Sequence, residues 1–345
     1  MPTSTRTRTT TGVLVAAAIF ALALLWAKWW PYAGKVTAVG SSHAWSGSDI
    51  LRVGGVRPGD APSWHAATSF ASAYFLVIWK ALAAALLIGA ALQTLVPRTW
   101  LLRVLARRGR VAGAVVGGLA STPSMMCTCC AAPVAATLRR TGVPTSAAVA
   151  YWLGNPLLNP AVLVFLLFVA PWQWTVTRLV VGAVLVVGGA ALVARLVDGR
   201  PAPAGTEPAG DTGPAPVRYL GALGRLAVTV VPEYLVVVAL IGAFRGWLFP
   251  LGHDALSSGL LVVLVAAVVG TLLVIPTAGE IPILQGLALA GLSLGAVGAL
   301  LVTLPAVSLP GMAMVGRAFG WRATLATAGV VAAGGVLAGG LLLAL

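Results

Sequence analysis

Apolar runs long enough to cross a bilayer follow one another through the chain: Gly12–Trp29, Ala67–Val96, Val111–Leu138, Thr145–Ala170, Val176–Leu196, Leu226–Phe249, Gly259–Ala290, Leu294–Val315 and Ala323–Leu345. A hydrocarbon core of about 30 Å is crossed by about 20 helical residues. Lipid offers backbone polar groups no partner, so only helices and closed barrels span it. These runs are continuous and lack the alternation of barrel strands. They predict an all-α polytopic membrane protein. Only 9% of residues are charged, where soluble domains carry about 25%.

Charge placement gives the topology. The formal charge of +14 would point to nucleic acid in a soluble protein, but here the arginines sit in short loops between apolar runs. That is the signature of loops held on the cytoplasmic side, so no nucleic-acid partner is expected. The start, "MPTSTRTRTTTGVLVAAAIFALALLWAKWW", has Arg6 and Arg8 before an apolar core. "LLWAKWW" offers no small-residue cleavage site, so the first run reads as an uncleaved extra N-terminal span. Trp26, Trp29, Trp30 and Tyr32 are its interfacial anchors. Residues 30–66 then read as an extracytoplasmic loop.

Asp198–Val217, "DGRPAPAGTEPAGDTGPAPV", has no apolar periodicity and reads as a flexible cytoplasmic linker. It separates two similar halves, residues 67–197 and 218–345. "IGAALQTLVP" from Ile88 matches "IGAFRGWLFP" from Ile241. Pro133, Gly142 and Pro156 match Pro282, Gly291 and Pro305 at identical spacings. Duplication with Gly/Pro-interrupted segments at matching places marks many transporters.

The loop holding Arg98, Arg103, Arg107, Arg108 and Arg110 is strongly basic, and Arg195, Arg200, Arg218 and Arg225 flank the linker. Both are placed inside, which needs an even number of crossings between them. Three apolar runs lie there, so one must enter and leave on the same side. Val111–Leu138 is broken by Pro123, the cysteines and Pro133, and Gly259–Ala290 by Pro276 and Pro282. As broken or re-entrant helical hairpins they make two inverted-topology repeats. The alternative is parallel halves of plain spans, which leaves the linker outside. Irregular backbone at membrane depth must be covered by protein or line a cavity, so the two tips are expected to meet at a site.

All three cysteines of the chain, Cys127, Cys129 and Cys130, lie in "STPSMMCTCCAAPVAATLRR". They are too close in sequence for an unstrained disulfide. Thiolates are soft ligands that select soft centres such as Cu(I), Zn or trivalent arsenic. Cysteine is also a small apolar residue suited to close packing. Thr128 lies inside the cluster. In "LGNPLLNP", Pro156 and Pro160 free carbonyls that the Asn155 and Asn159 amides, or a substrate, can meet. Glu280, in "PTAGEIP" at the second tip, is a lone carboxylate able to carry a proton or receive a cation. Lys80 and Glu233 fall at equivalent repeat positions, and buried charges are usually paired or functional. They form a candidate coupling or structural pair, the alternative being that each snorkels separately. His43, His65 and His253 are too scattered for a metal site. The absence of a phosphate-binding G-x-x-x-x-G-K-[ST] loop, an H-E-x-x-H motif and a G-x-S-x-G elbow excludes intrinsic ATP hydrolysis and the common intramembrane hydrolase chemistries. The chain reads as no enzyme and calls for no cofactor.

"CTCCAAPVAATLRRTGVPTSAAVAYWLGNPLLNP" resembles the predicted permease family that contains the ArsP organoarsenical efflux permeases and the YraQ-type permeases. Its pattern is a C-x-C with Pro four residues on, then Gly, then an apolar helix ending in a Pro/Asn-rich turn. Here these are Cys127, Cys129, Pro133, Gly142 and Asn155-Pro156 through Asn159-Pro160. The resemblance covers roughly Ala67 to Arg322 without the linker. The family usually has Gly where this chain has Cys130, and many relatives keep a cysteine where the second break reads "TAGEIP". The resemblance implies a multi-pass permease of the bacterial cytoplasmic membrane. For ArsP-like members it implies export of trivalent organoarsenicals through intramembrane cysteines. Cys127 and Cys129, with Cys130 as a third sulfur, are then the expected metalloid-substrate ligands, with Thr128, Asn155, Asn159 and Glu280 around the path. Lipid and the solute are the expected partners, and a homodimer is a candidate assembly. A non-transporting redox- or metal-sensing subunit, or a permease for an unrelated solute, are the alternatives.

Overall fold

The computed structural model describes residues 3–45, 50–106, 109–197, 214–248 and 259–345. Among them the regular structure is helical, with no strand. In chain order the helices are α1 (Thr10–Ser42), α2 (Trp64–Thr94), α3 (Arg98–Leu105), α4 (Arg110–Ser121), α5 (Thr128–Arg140), α6 (Thr145–Leu157) and α7 (Pro160–Val169). There follow α8 (Trp172–Val197), α9 (Ala215–Leu248), α10 (Leu260–Leu272), α11 (Glu280–Leu289), α12 (Leu294–Ala306), α13 (Leu309–Phe319) and α14 (Trp321–Ala344). Six runs are long and apolar enough to cross a membrane: α1, α2, α6–α7 together, α8, α9 and α14; α12–α13, bent by 52°, makes a seventh if taken as one span. The chain is a multi-pass membrane protein. Its outer faces carry exposed Leu22, Leu76, Val228, Leu261 and Leu337, which suit lipid.

The two proline-broken runs are indeed split. α4 and α5 have 12 and 13 residues, α10 and α11 have 13 and 10. At about 1.5 Å per residue none reaches across about 30 Å alone. Met125 (φ 48°) turns the first break and Ala278 (φ 67°) the second, both in the left-handed region that non-glycine residues seldom occupy. Helices α5, α6 and α12 are buried nearly throughout and form the centre of the molecule.

Local geometry repeats between the halves. Gly142 and Gly291 adopt φ of 94° and 93° just past α5 and α11. In both, the next amide reaches back five residues, Val143 to the Leu138 carbonyl and Leu292 to Leu287, a left-handed helix stop that glycine favours. Asn159 caps α7 and Ser308, 149 residues on, caps α13. Helix α4 packs on α6 as α10 packs on α12, and α2 packs along α9. One contact is built with its partners exchanged. In the first half the Ser121 hydroxyl lies against Gly154; in the second the Thr303 hydroxyl lies against Gly270.

Three expectations change. The first helix does not stop at Trp29 but runs to Ser42, so much of the expected loop at 30–66 is helix. Residues Leu25–Trp29 are π-helical, with the Trp30 amide donating to the Leu25 carbonyl, and this wider turn takes up Pro31. Beyond it, residues 50–55 form a 3₁₀ segment tied down by Arg245, which donates to the Val53 carbonyl and, at 2.6 Å, to that of Ala66. Of the linker, 198–213 lie outside the described residues, as do Arg107, Arg108, Arg200 and His253; Ala215–Val217 already form the first turn of α9.

Close helix approach yields a first prediction. A Cβ on Gly117 would stand 2.1 Å from the Ala147 carbonyl oxygen, whereas one on Gly340 meets nothing within 4 Å. Gly117→Ala should lower thermal stability by about 1–3 kcal/mol. Gly340→Ala should be neutral or stabilising by up to about 1 kcal/mol. Unfolding of the detergent-purified protein checks both; equal effects would contradict the packing.

Candidate functional site

The first break is held by Asn155. Its Oδ1 accepts from the Ser124 hydroxyl at 2.5 Å and from the Met126 amide at 3.3 Å, and its Nδ2 donates to the Tyr151 carbonyl at 2.8 Å. The Tyr151 hydroxyl donates to Ser124 at 3.4 Å. These bonds fix the chain just ahead of Cys127, which ends the break in extended conformation and starts α5.

The three thiols converge there. All are buried and free, and their Sγ atoms lie within 4.8 Å of one another. Cys127 and Cys129 are 3.0 Å apart. Around Cys129 stand two buried hydroxyls, Tyr74 of α2 at 3.8 Å and Tyr234 of α9 at 3.5 Å. A residue from each half thus meets the same sulfur. Thr128 Oγ1 is buried with no hydrogen-bond partner. Soft sulfurs at this spacing suit one soft, three-coordinate centre.

Cys127 opens onto a cavity of about 300 Å³ between α1 and α2. Its floor takes Cys127 from the first break and Pro276 and Thr277 from the second. The two tips therefore border one space. Helix α1 ties them together. The Trp29 indole donates to the Pro123 carbonyl at 2.7 Å, and the buried Lys28 ammonium donates to Thr277 Oγ1 at 3.1 Å and to the Tyr32 hydroxyl at 3.0 Å. Both residues lie in the π-helical stretch, which turns adjacent side chains toward different breaks.

Glu280 is not a lone carboxylate. Arg178 of α8 pairs with it at 2.6 Å, with both side chains almost wholly buried. The same guanidinium donates to the Pro156 carbonyl at 2.7 Å and to that of Leu157 at 3.4 Å. The reason is local. Pro160 has no N–H to give the Pro156 carbonyl, and the Ala161 amide is taken by the Asn159 cap. Arginine meets the carbonyls that this leaves, and Glu280 balances its charge. Asn159 is thus a helix cap, although its Nδ2 is buried without a partner.

Lys80 and Glu233 do not pair with each other. Lys80 is exposed, its ammonium 5.9 Å from the Trp26 ring and 5.7 Å from that of Trp79. Glu233 lies 3.7 Å from Arg317. Equivalent sequence positions on α2 and α9 place the two residues on outer parts of the bundle, so each finds a local partner. Lys28 and Arg178 were legible only as single charges inside apolar runs. Tyr74 and Tyr234 gave no signal, because aromatic residues in such runs are ordinary packing.

Breaking the buried pair from one side leaves an uncompensated charge, which costs about 3–5 kcal/mol. Glu280→Gln and Arg178→Met should each destabilise the protein by that order. The double variant Arg178→Met/Glu280→Gln should lose less than the sum of the singles, with a coupling above about 1 kcal/mol. Thermal unfolding of the four proteins decides it; strict additivity would deny the pair any role.

Comparison with known proteins agrees with this architecture. Residues 63–210 match the ArsP_1 model, described as a predicted permease. The chain is 44% identical over 275 residues to the UPF0718 protein YraQ of Escherichia coli (strain K12), an alignment covering 79% of this chain and 78% of that protein. No solved structure matches it. The matched segment contains the first break, the three thiols and the Asn155–Asn159 turn, and on these grounds the chain belongs to this family of predicted membrane permeases.

Proposed function

We propose that this permease exports a soft, thiophilic small solute from the cytoplasm, specifically a trivalent methyl or aromatic arsenical. The observation that carries the reading is the convergence of three buried thiols, of which Cys127 lines a cavity bordered by both helix breaks. Binding is an exchange of ligands without redox change. Each thiol that bonds to arsenic gives up its proton to a departing hydroxide, and water leaves. Cys127 and Cys129 replace the two hydroxides that a trivalent methyl or aryl arsenical carries, and Cys130 stays a thiol beside them, a third soft sulfur next to the bound centre. Tyr74 and Tyr234 can hydrogen-bond the bound sulfurs. Thr128, between the thiols in sequence, has a buried hydroxyl without a partner.

The two halves are read as inverted repeats, with α4–α5 and α10–α11 as re-entrant hairpins. The matched glycine stops, matched caps and exchanged Ser121/Thr303 contact support the repeat. The basic loops support the inversion. Alternating access then rocks one half against the other around the thiols. In this scheme Asn155, Asn159 and Glu280 keep the breaks in shape. They do not ligate the solute.

Cys127→Ser and Cys129→Ser should each abolish the resistance that the wild type confers on an arsenical-sensitive host, and Cys130→Ser should reduce it. Uptake of methyl arsenite by everted vesicles should fall about tenfold or more in the first two, since losing one strong ligand costs more than 1.4 kcal/mol. Wild-type protection by both variants would end the thiol mechanism.

A further inference from the structure

The cavity beside Cys127 is lined by three lysines, Lys28, Lys35 and Lys80, and by no Asp or Glu. Lys35 and Lys80 rest against aromatic rings, Lys35 at 3.6 Å from Trp45. Lys28 differs. It is only 6% exposed, and its hydrogen bonds go to two neutral hydroxyls, Tyr32 and Thr277. Among the described residues no carboxylate pairs with it, whereas Glu280 and Glu233 stand by Arg178 and Arg317. Lys28 lies near the middle of the 33-residue α1, at membrane depth. A buried ammonium there is costly and needs an anion. Its two partners leave room for one, since an ammonium has three protons to donate.

We infer that the cavity is a two-point site, in which the thiols take the soft centre of a solute and Lys28 takes an anionic group, a carboxylate, carried by the same molecule. This rests on the thiol reading above and narrows it to thiophilic solutes that bear a negative charge. Thr277 holds the ammonium toward the cavity from the second break, and Lys35 and Lys80 add positive potential at its walls. Without solute the cavity has three lysines on its walls and no carboxylate. The site joins both halves and α1, so occupancy of both points would bridge the parts that alternating access must move.

The test uses the full-length protein in nanodiscs of phosphatidylcholine and two probes of equal thiol chemistry, phenylarsine oxide and 4-carboxyphenylarsine oxide. Bound arsenic is counted after equilibrium dialysis. The wild type should bind the carboxylated probe about tenfold or more tightly, the scale of a charge-assisted hydrogen bond. Millimolar benzoate should compete with that probe and not with phenylarsine oxide. Lys28→Met should erase the preference while binding phenylarsine oxide as the wild type does, which also shows that the variant is folded. Equal wild-type affinities, no competition by benzoate, or an equal loss of both probes in Lys28→Met would overturn the inference and leave the thiol reading intact. Failure of both probes to bind the wild type would remove both readings. A parallel set in nanodiscs with phosphatidylglycerol separates a lipid phosphate from the solute. Loss of the preference there, with that lipid retained by the wild type and not by Lys28→Met, would assign the lysine to a headgroup and overturn the inference.

Discussion

Two helices broken inside a membrane leave backbone groups that lipid cannot satisfy, and the rest of this structure is arranged around them. At the first break a single amide, Asn155, takes the burden by accepting from Ser124 and Met126 and donating to Tyr151. At the turn after α6 the carbonyls of Pro156 and Leu157 are met by Arg178. That arginine brings a charge into the core, so Glu280 at the second break must stand opposite it. A local shortage of donors, created by Pro160, thus links the second half of the chain to the first.

The same requirement explains the position of α1. It precedes both broken segments, yet its π-helical turn sends Trp29 to the first break and Lys28 to the second. An ordinary helix would place adjacent residues about 100° apart and keep to an unbroken spacing along its face. The wider turn shifts that spacing at the depth where the breaks lie. The cavity that results is walled by α1 and α2, floored by both tips and bordered by Cys127. Covering the irregular backbone and forming the site are one arrangement.

The exchange of Ser121 and Gly154 for Gly270 and Thr303 shows how two halves with weak identity keep one packing. What is preserved is a hydroxyl against a missing side chain, whichever strand of the contact supplies it. Chemistry is not repeated in the same way. The thiols belong to the first half and Glu280 to the second, and Tyr74 and Tyr234 reach Cys129 from α2 and α9. The candidate site is asymmetric although the helix stops, caps and the hydroxyl–glycine contact around it recur in both halves.

The apolar runs, prolines and arginine loops were enough to determine a helical membrane protein with two matching broken segments, because bilayer thickness and unpaired backbone leave few choices. They also located the thiols at one break, since three cysteines within four residues must share a neighbourhood. Partners distant in the chain were decided by the fold alone. Lys80 and Glu233 share a repeat position, but packing turned them to Trp26 and Arg317. Glu280 looked solitary because Arg178 lies 102 residues away, and nothing in the sequence joined Lys28 to Thr277, 249 residues away. Periodicity and spacing report which residues a helix carries, whereas the direction in which a buried charge finds its partner is set by how the helices are rotated and packed.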